Sequence, residues 1–217
     1  MNLVLPRGLY AITPEQIADM ELLLDMVRRC LAGGARTIQY RHKGPEETRR
    51  RAEAQAIGAL CREYKAAFVI NDSLELAREV GADGVHLGKA DLTCAEARRR
   101  AGPDLLIGVS CYGSLQRARQ AVRDGASYVA FGSAFASPTK PAAVRAELPL
   151  FREAATELQI PVVAIGGITP TNAPDLVAAG CHALAVISGL FNVPDITATA
   201  AAFSALFGSD TTADRLE

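Results

Sequence analysis

The 217 residues carry 23 basic and 24 acidic side chains, with 49% hydrophobic and 22% charged residues. That balance excludes a disordered chain and offers no bulk charge for gripping nucleic acid or a membrane surface, so any anion site must be built locally. At ~150 residues per domain the length favours one domain, large enough to bury a core without disulfide or metal staples.

Short apolar runs begin at Gly8, Thr37, Ala67, Gly84, Leu105, Tyr128, Pro161 and Ala183. Each is nearly continuous in apolar residues rather than alternating, as strands covered on both faces are. Amphipathic stretches fill the gaps. Pro14-Glu15 after Thr13 opens the first expected helix, and Ser73, Thr93, Ser114 and Thr169 stand at similar N-cap positions. Gly33-Gly34, Gly81, Gly125 and Gly180 follow helical stretches and precede strands, where glycine supplies a left-handed helix end. Residues 176–194 contain no Asp, Glu, Lys or Arg. Glycines, His182, Asn192 and Pro194 interrupt them, so they read as helix end, turn, strand and loop rather than a membrane span.

Eight strand-then-helix units allow an open doubly wound sheet or a closed barrel. The turn after the first strand, Ala11 to Glu15, lacks the glycine-rich dinucleotide loop of the open sheet. The expectation is an α/β protein forming a single (β/α)8 TIM barrel with compact loops over residues 1–207, and a frayed tail over 208–217. Five cysteines, Cys30, Cys61, Cys94, Cys111 and Cys181, contain no Cys-x-x-Cys spacing. With no secretory signal in residues 1–10, they read as buried reduced thiols in a cytoplasmic protein.

Active sites of such barrels lie at the C-terminal ends of the strands. Seven strands end there in polar, charged or glycine residues. Arg41 and Lys43 alternate along extended chain and so point the same way. With Lys140 they bring three cations to one mouth, which suits a polyanion such as a diphosphate. Asp72 and Asp91 stand among them, and carboxylates beside a phosphate site suit Mg²⁺. Gly166-Gly167 and Ser188-Gly189 offer backbone N–H groups to a second, neutral phosphate site. Taken singly, each feature has a plainer reading. Arg41 and Lys43 fit a solvated loop, Asp72 and Asp91 fit helix caps, and Gly166-Gly167 fits a tight turn. His86 reads as a packed strand residue rather than a base, and His182 lies at the wrong end for catalysis. The runs Arg28-Arg29, Arg49-Arg50-Arg51 and Arg98-Arg99-Arg100 read as solvated helix faces.

The segments QYRHK, ND, GVHLGKAD, GVS, SPTK, IGGI and VIS, one per successive unit, together resemble the thiamine phosphate synthase family. The resemblance covers about residues 8–207. It implies a barrel that joins 4-amino-2-methyl-5-(diphosphooxymethyl)pyrimidine to a thiazole phosphate, plain or carboxylated, releasing diphosphate. It implies that Gln39, Tyr40, Arg41, His42, Lys43, Asn71, Ser110 and Lys140 bind the pyrimidine diphosphate. Within that set Arg41, Lys43, Ser110 and Lys140 would serve the chemistry. Ser137, Pro138, Thr139, Gly167, Ile187 and Ser188 would bind the thiazole phosphate, and Asp72 and Asp91 would hold Mg²⁺. Lys89 stands where that family commonly has Gln, and Ser137 where Thr is frequent. The partners implied are small phosphorylated molecules, with neither nucleic acid nor membrane; oligomeric state is left open. Three alternatives remain: a thiazole tautomerase, which needs no diphosphate half; a non-catalytic phosphate-binding barrel, which needs no metal; and a barrel enzyme of indole- or ribulose-phosphate type, whose Lys or Glu acid–base pair has no counterpart here.

Overall fold

The computed structural model describes residues 4–15, 17–136 and 145–208. Eight parallel strands close on themselves in chain order: β1 (Gly8–Ile12), β2 (Thr37–Tyr40), β3 (Ala67–Asn71), β4 (Gly84–Leu87), β5 (Leu106–Tyr112), β6 (Tyr128–Phe131), β7 (Val162–Ile165) and β8 (Ala183–Val186). Helices α1 (Met20–Ala32), α2 (Glu47–Glu63), α3 (Leu74–Glu79), α4 (Cys94–Ala101), α5 (Leu115–Arg123), α6 (Leu148–Glu157), α7 (Ala173–Ala178), α8 (Ser188–Phe191) and α9 (Ile196–Ala205) surround it. Closure is made by β1 and β8, with Gly8 opposite Ala183 and Ala11 opposite Val186. The expected (β/α)8 barrel is therefore found. Six strands begin at the expected residue, and β5 and β7 begin one residue later.

Helix starts agree less well. Ser73, Thr93 and Ser114 cap α3, α4 and α5, each accepting a backbone N–H. Thr13 does not cap α1; Asp19 does, accepting the Glu21 N–H at 2.9 Å. Thr13 is buried, and its hydroxyl accepts the Arg41 backbone N–H at 2.9 Å, tying the end of β1 to the end of β2. Likewise Asn172, not Thr169, precedes α7, and the Asn172 side chain accepts the Thr169 N–H. Gly34, Gly81, Gly125 and Gly180 take positive φ as expected. The loop expected after β8 is replaced by α8. Among the described residues no helix is long and apolar enough to cross a membrane.

Two arginines depart from the solvated reading. Arg98 donates to the carbonyls of Gly102, Leu105 and Gly125 and to the Ser127 hydroxyl, so it staples the turns beneath the barrel. Arg49 donates to the Ile17 carbonyl and to Glu53, a carboxylate only 1% exposed.

The sheet separates two cores. The larger lies between strands and helices; Ile38, Ile57, Val129 and Phe151 belong to it. The smaller fills the barrel with Leu5, Tyr10, Ile12, Val69, Tyr128, Ala130, Val163, Ala183 and Ala185. Leu5 enters from the chain before β1, and its carbonyl meets the His182 ring at 2.8 Å. Large and small residues share the interior layers, because an eight-stranded barrel is just wide enough for side chains to fill. Gly108 is the clearest case: a Cβ there would collide with the Tyr128 ring and hydroxyl. Gly108→Ala should therefore destabilise by overpacking, on the order of 1–3 kcal/mol, read as a lower urea midpoint at unchanged slope. All five cysteines are free and buried. Burial pushes the Cys94 thiol to about 11 and those of Cys61, Cys111 and Cys181 to about 12, and raises Cys30. At pH 8 a thiol reagent should label none in the native protein and all five in denaturant.

Candidate active site

Gln39, Arg41 and Lys43 follow one another at alternate positions from β2 into its loop, and Tyr40 and His42 take the intervening ones. In extended chain this sends the two sets to opposite sides. Gln39 faces the interior, where its amide Nε2 donates to Asn71 Oδ1 at 2.6 Å. Lys43 Nζ lies 3.5 Å from Asp72 Oδ2. Arg41 Nη1 lies 2.7 Å from Glu15 Oε1.

Tyr40 and His42 are not brought to this mouth. The Tyr40 hydroxyl donates to Glu53 of α2 at 2.6 Å, within the outer core. The His42 ring stacks parallel to Tyr40, with centroids 6.3 Å apart. Burial, then the hydrogen bond to Glu53, raises the Tyr40 pKa. The pair braces the segment that carries Arg41 and Lys43.

Asp72 comes directly after β3. Its φ of 65° is left-handed, and its N–H donates to the His86 carbonyl at 2.8 Å, holding the residue over β4. Asp91 lies in the loop after β4 and accepts the Gly88 N–H at 2.6 Å. Burial, and then the adjacent Asp91 carboxylate, raise the Asp72 pKa, while Lys43 lowers it. A carboxylate whose proton affinity is raised by burial and a neighbouring carboxylate, beside a lysine, makes a locus where a cation relieves repulsion. Among the described residues no three His, Cys, Asp or Glu side chains gather as a complete metal cage. The Asp pair fits instead a hard divalent ion whose other ligands are water and phosphate oxygens.

Ser110 and His86 meet at the centre of the mouth. His86 Nε2 is 2.9 Å from Ser110 Oγ, and His86 Nδ1 is 3.1 Å from the Tyr128 hydroxyl. Burial lowers the His86 pKa to about 4 against the opposing pull of Asp91, so the ring is neutral at pH 7. His86 is thus a hydrogen-bonded strand residue, as expected. Tyr128 in turn contacts the Tyr10 hydroxyl at 2.8 Å, and Tyr10 donates to Gln39 Oε1 at 3.0 Å. Sequence reasoning missed Tyr10 and Tyr128. The available signal was a hydroxyl at an inward position of an otherwise apolar strand.

On the far side of the mouth, Gly166 and Gly167 both take positive φ and pack against the loop after β6. Gly189 of α8 abuts the Ile168 carbonyl, bringing Gly167, Ile187 and Ser188 to one place. Ser137, Pro138, Thr139 and Lys140, expected at the same mouth, lie outside the described residues, as do residues 209–217.

This constellation has known relatives. The model of the thiamine monophosphate synthase family matches residues 9–190. A thiamine-phosphate synthase of Thiobacillus denitrificans is 48% identical over 205 residues, covering 94% of this chain and 97% of that one. One from Bordetella pertussis is 51% identical over 208 residues, covering 93% and 95%. The thiamine phosphate pyrophosphorylase structure from Pyrococcus furiosus superposes with a TM-score of 0.82 at 34% identity, covering 92% and 95%. A 3-hexulose-6-phosphate synthase at 17% identity and TM-score 0.68 shares the barrel alone.

A closed barrel with a charged mouth of this kind defines a phosphate-handling (β/α)8 enzyme. The chain belongs to the thiamine-phosphate synthase family and is a transferase.

Glu15 occupies the Arg41 guanidinium that a polyanion would need. Glu15→Gln should therefore tighten binding of inorganic diphosphate, by up to about fivefold for a part-exposed pair. Calorimetry on the two proteins measures this, and weaker binding to the variant would contradict it.

Proposed function

We propose that the chain makes thiamine phosphate by joining the pyrimidine diphosphate to a thiazole phosphate, with Mg²⁺ and the residues at the barrel mouth. The observation that carries this reading is the cluster of Lys43, Asp72 and Asp91, with Arg41 two residues before Lys43 in the same segment. Lys43 and Asp72 are 3.5 Å apart, and Asp91 lies against Asp72. A monophosphate isomerase has no use for that concentration of charge, whereas a departing diphosphate does.

In this reading Arg41 and Lys43 leave their carboxylate partners for the diphosphate oxygens. Asp72 and Asp91 hold Mg²⁺, which when bound supplies positive charge to the departing diphosphate. Lys140 is expected to add a third cation. The bond from the pyrimidine methylene carbon to the diphosphate oxygen breaks, and its electron pair leaves with the oxygen. The thiazole nitrogen lone pair then forms the new carbon–nitrogen bond. Arg41 and Lys43 meet negative charge where it grows, so they favour the transition state over the ground state. Gln39, Asn71 and Ser110 orient the aminopyrimidine ring. Gly167, Ile187 and Ser188, with Ser137, Pro138 and Thr139, hold the thiazole phosphate so that its nitrogen faces the methylene. No protein nucleophile or strong base is needed, which agrees with a neutral His86 and five buried thiols. The unpaired thiols support a reducing compartment such as the cytoplasm.

The test is to incubate the protein with both substrates and Mg²⁺, then with EDTA, and read thiamine phosphate by fluorescence after oxidation. Product should form only with Mg²⁺, and Asp72→Ala should lower turnover by about a hundredfold while circular dichroism is unchanged. Product formation indifferent to EDTA would remove the metal. No product under any condition would move the assignment to the tautomerase.

A further inference from the structure

Six side chains from six different strands form one continuous hydrogen-bonded line inside the barrel. They run Asn71 (β3), Gln39 (β2), Tyr10 (β1), Tyr128 (β6), His86 (β4) and Ser110 (β5), with contacts of 2.6, 3.0, 2.8, 3.1 and 2.9 Å. Gln39 and Tyr10 are buried, and so is Tyr128. Each hydroxyl has one proton to donate, and each amide has a donor end and an acceptor end. With the Gln39 amide oriented as it is, Nε2 toward Asn71 and Oε1 toward Tyr10, those limits set the direction of the remaining bonds. Gln39 gives its Nε2 protons to Asn71 Oδ1 and keeps Oε1 for the Tyr10 proton. Tyr10, its proton spent, accepts from Tyr128. Tyr128, its proton spent, accepts from His86 Nδ1. A neutral imidazole that donates at Nδ1 accepts at Nε2, so Ser110 must donate there. Both ends of the line are thereby set at the mouth. Ser110 turns lone pairs outward. Asn71 turns its Nδ2 protons away from Gln39, and no acceptor among the described residues is recorded for them.

We propose that Tyr10 and Tyr128 are positioning residues that act through this line. They hold Ser110 as an acceptor and Asn71 as a donor, and so select a ring edge bearing an amino group beside an unprotonated ring nitrogen. The selection rests on the reading that these two residues face the aminopyrimidine. Neither tyrosine touches the substrate. Tyr128 can reach His86 because Gly108 leaves room for its ring, and the His86 and Tyr128 rings stack with centroids 5.6 Å apart. The place of the Tyr128 hydroxyl is thus set by packing as well as by hydrogen bonding. An apolar residue at either position would leave a buried polar partner unmet, in an interior where that is costly.

The experiment pairs two variants, Tyr128→Phe and Tyr10→Phe, each keeping the ring that fills the barrel. Nitrogen NMR at pH 7.5 on ¹⁵N-histidine protein reads the His86 tautomer, assigned by comparison with His86→Gln. The wild type should carry its proton on Nδ1. Tyr128→Phe should shift it toward Nε2, because the Nδ1 acceptor is gone. Competition assays then compare pyrimidine diphosphates with and without the 4-amino group. Wild type should prefer the amino compound, and each variant should lose about tenfold or more of that preference. The KM for thiazole phosphate should be unchanged. A wild-type ring protonated on Nε2, or variants that keep both the wild-type tautomer and the full amino preference, would overturn the proposal. The tautomer measurement needs no substrate, so its failure is separable from failure of the condensation assay.

Discussion

A hydroxyl inside a closed eight-stranded barrel has little water to fall back on. The Tyr10–Tyr128 contact answers that constraint across the interior, since each phenol satisfies the other and passes its remaining capacity to a neighbour. Much of the upper barrel follows from it. Gln39 must face inward to receive Tyr10, and that alternation sends Arg41 and Lys43 to the same side. Gly108 must lack a side chain because Tyr128 fills its space. His86 is kept neutral by its burial among these groups. The line of contacts is at once a packing solution and the floor of the mouth.

Above that floor, charge is arranged in pairs rather than left open. Arg41 is matched by Glu15 and Lys43 by Asp72. These are part-exposed contacts, worth little to stability. Their value is that the cations are already aimed when a polyanion arrives, and a carboxylate is easily displaced by a more highly charged ligand. Behind them, Tyr40, Glu53 and Arg49 fix the β2 end to α2, and Arg49 reaches on to the carbonyl of Ile17. The segment bearing Glu15 and the segment bearing Arg41 are therefore joined through a buried carboxylate, not only through their own part-exposed pair.

The barrel was legible because doubly covered parallel strands leave unbroken apolar runs, and glycines mark the helix ends that precede them. The charged half of the site was legible for a related reason. Arg41, Lys43, Asp72 and Asp91 are conspicuous at strand ends because charge there has no packing role. Tyr10 and Tyr128 were passed over, since in GLYAI and YVAF a tyrosine reads as one more large apolar residue unless its inward hydroxyl is weighed. Arg49 and Arg98 failed for the opposite reason. In charge-rich helices nothing local distinguishes the arginine that turns inward onto carbonyls from its solvated neighbours. Thr13 and Thr169 had the right residue type for a cap and the wrong place, because α1 begins seven residues after the first and α7 four after the second.

Leu5 closes the lower end of the barrel, held there through its carbonyl by His182. The vessel is therefore blind. Whatever enters must leave by the same opening, past whatever arrived later.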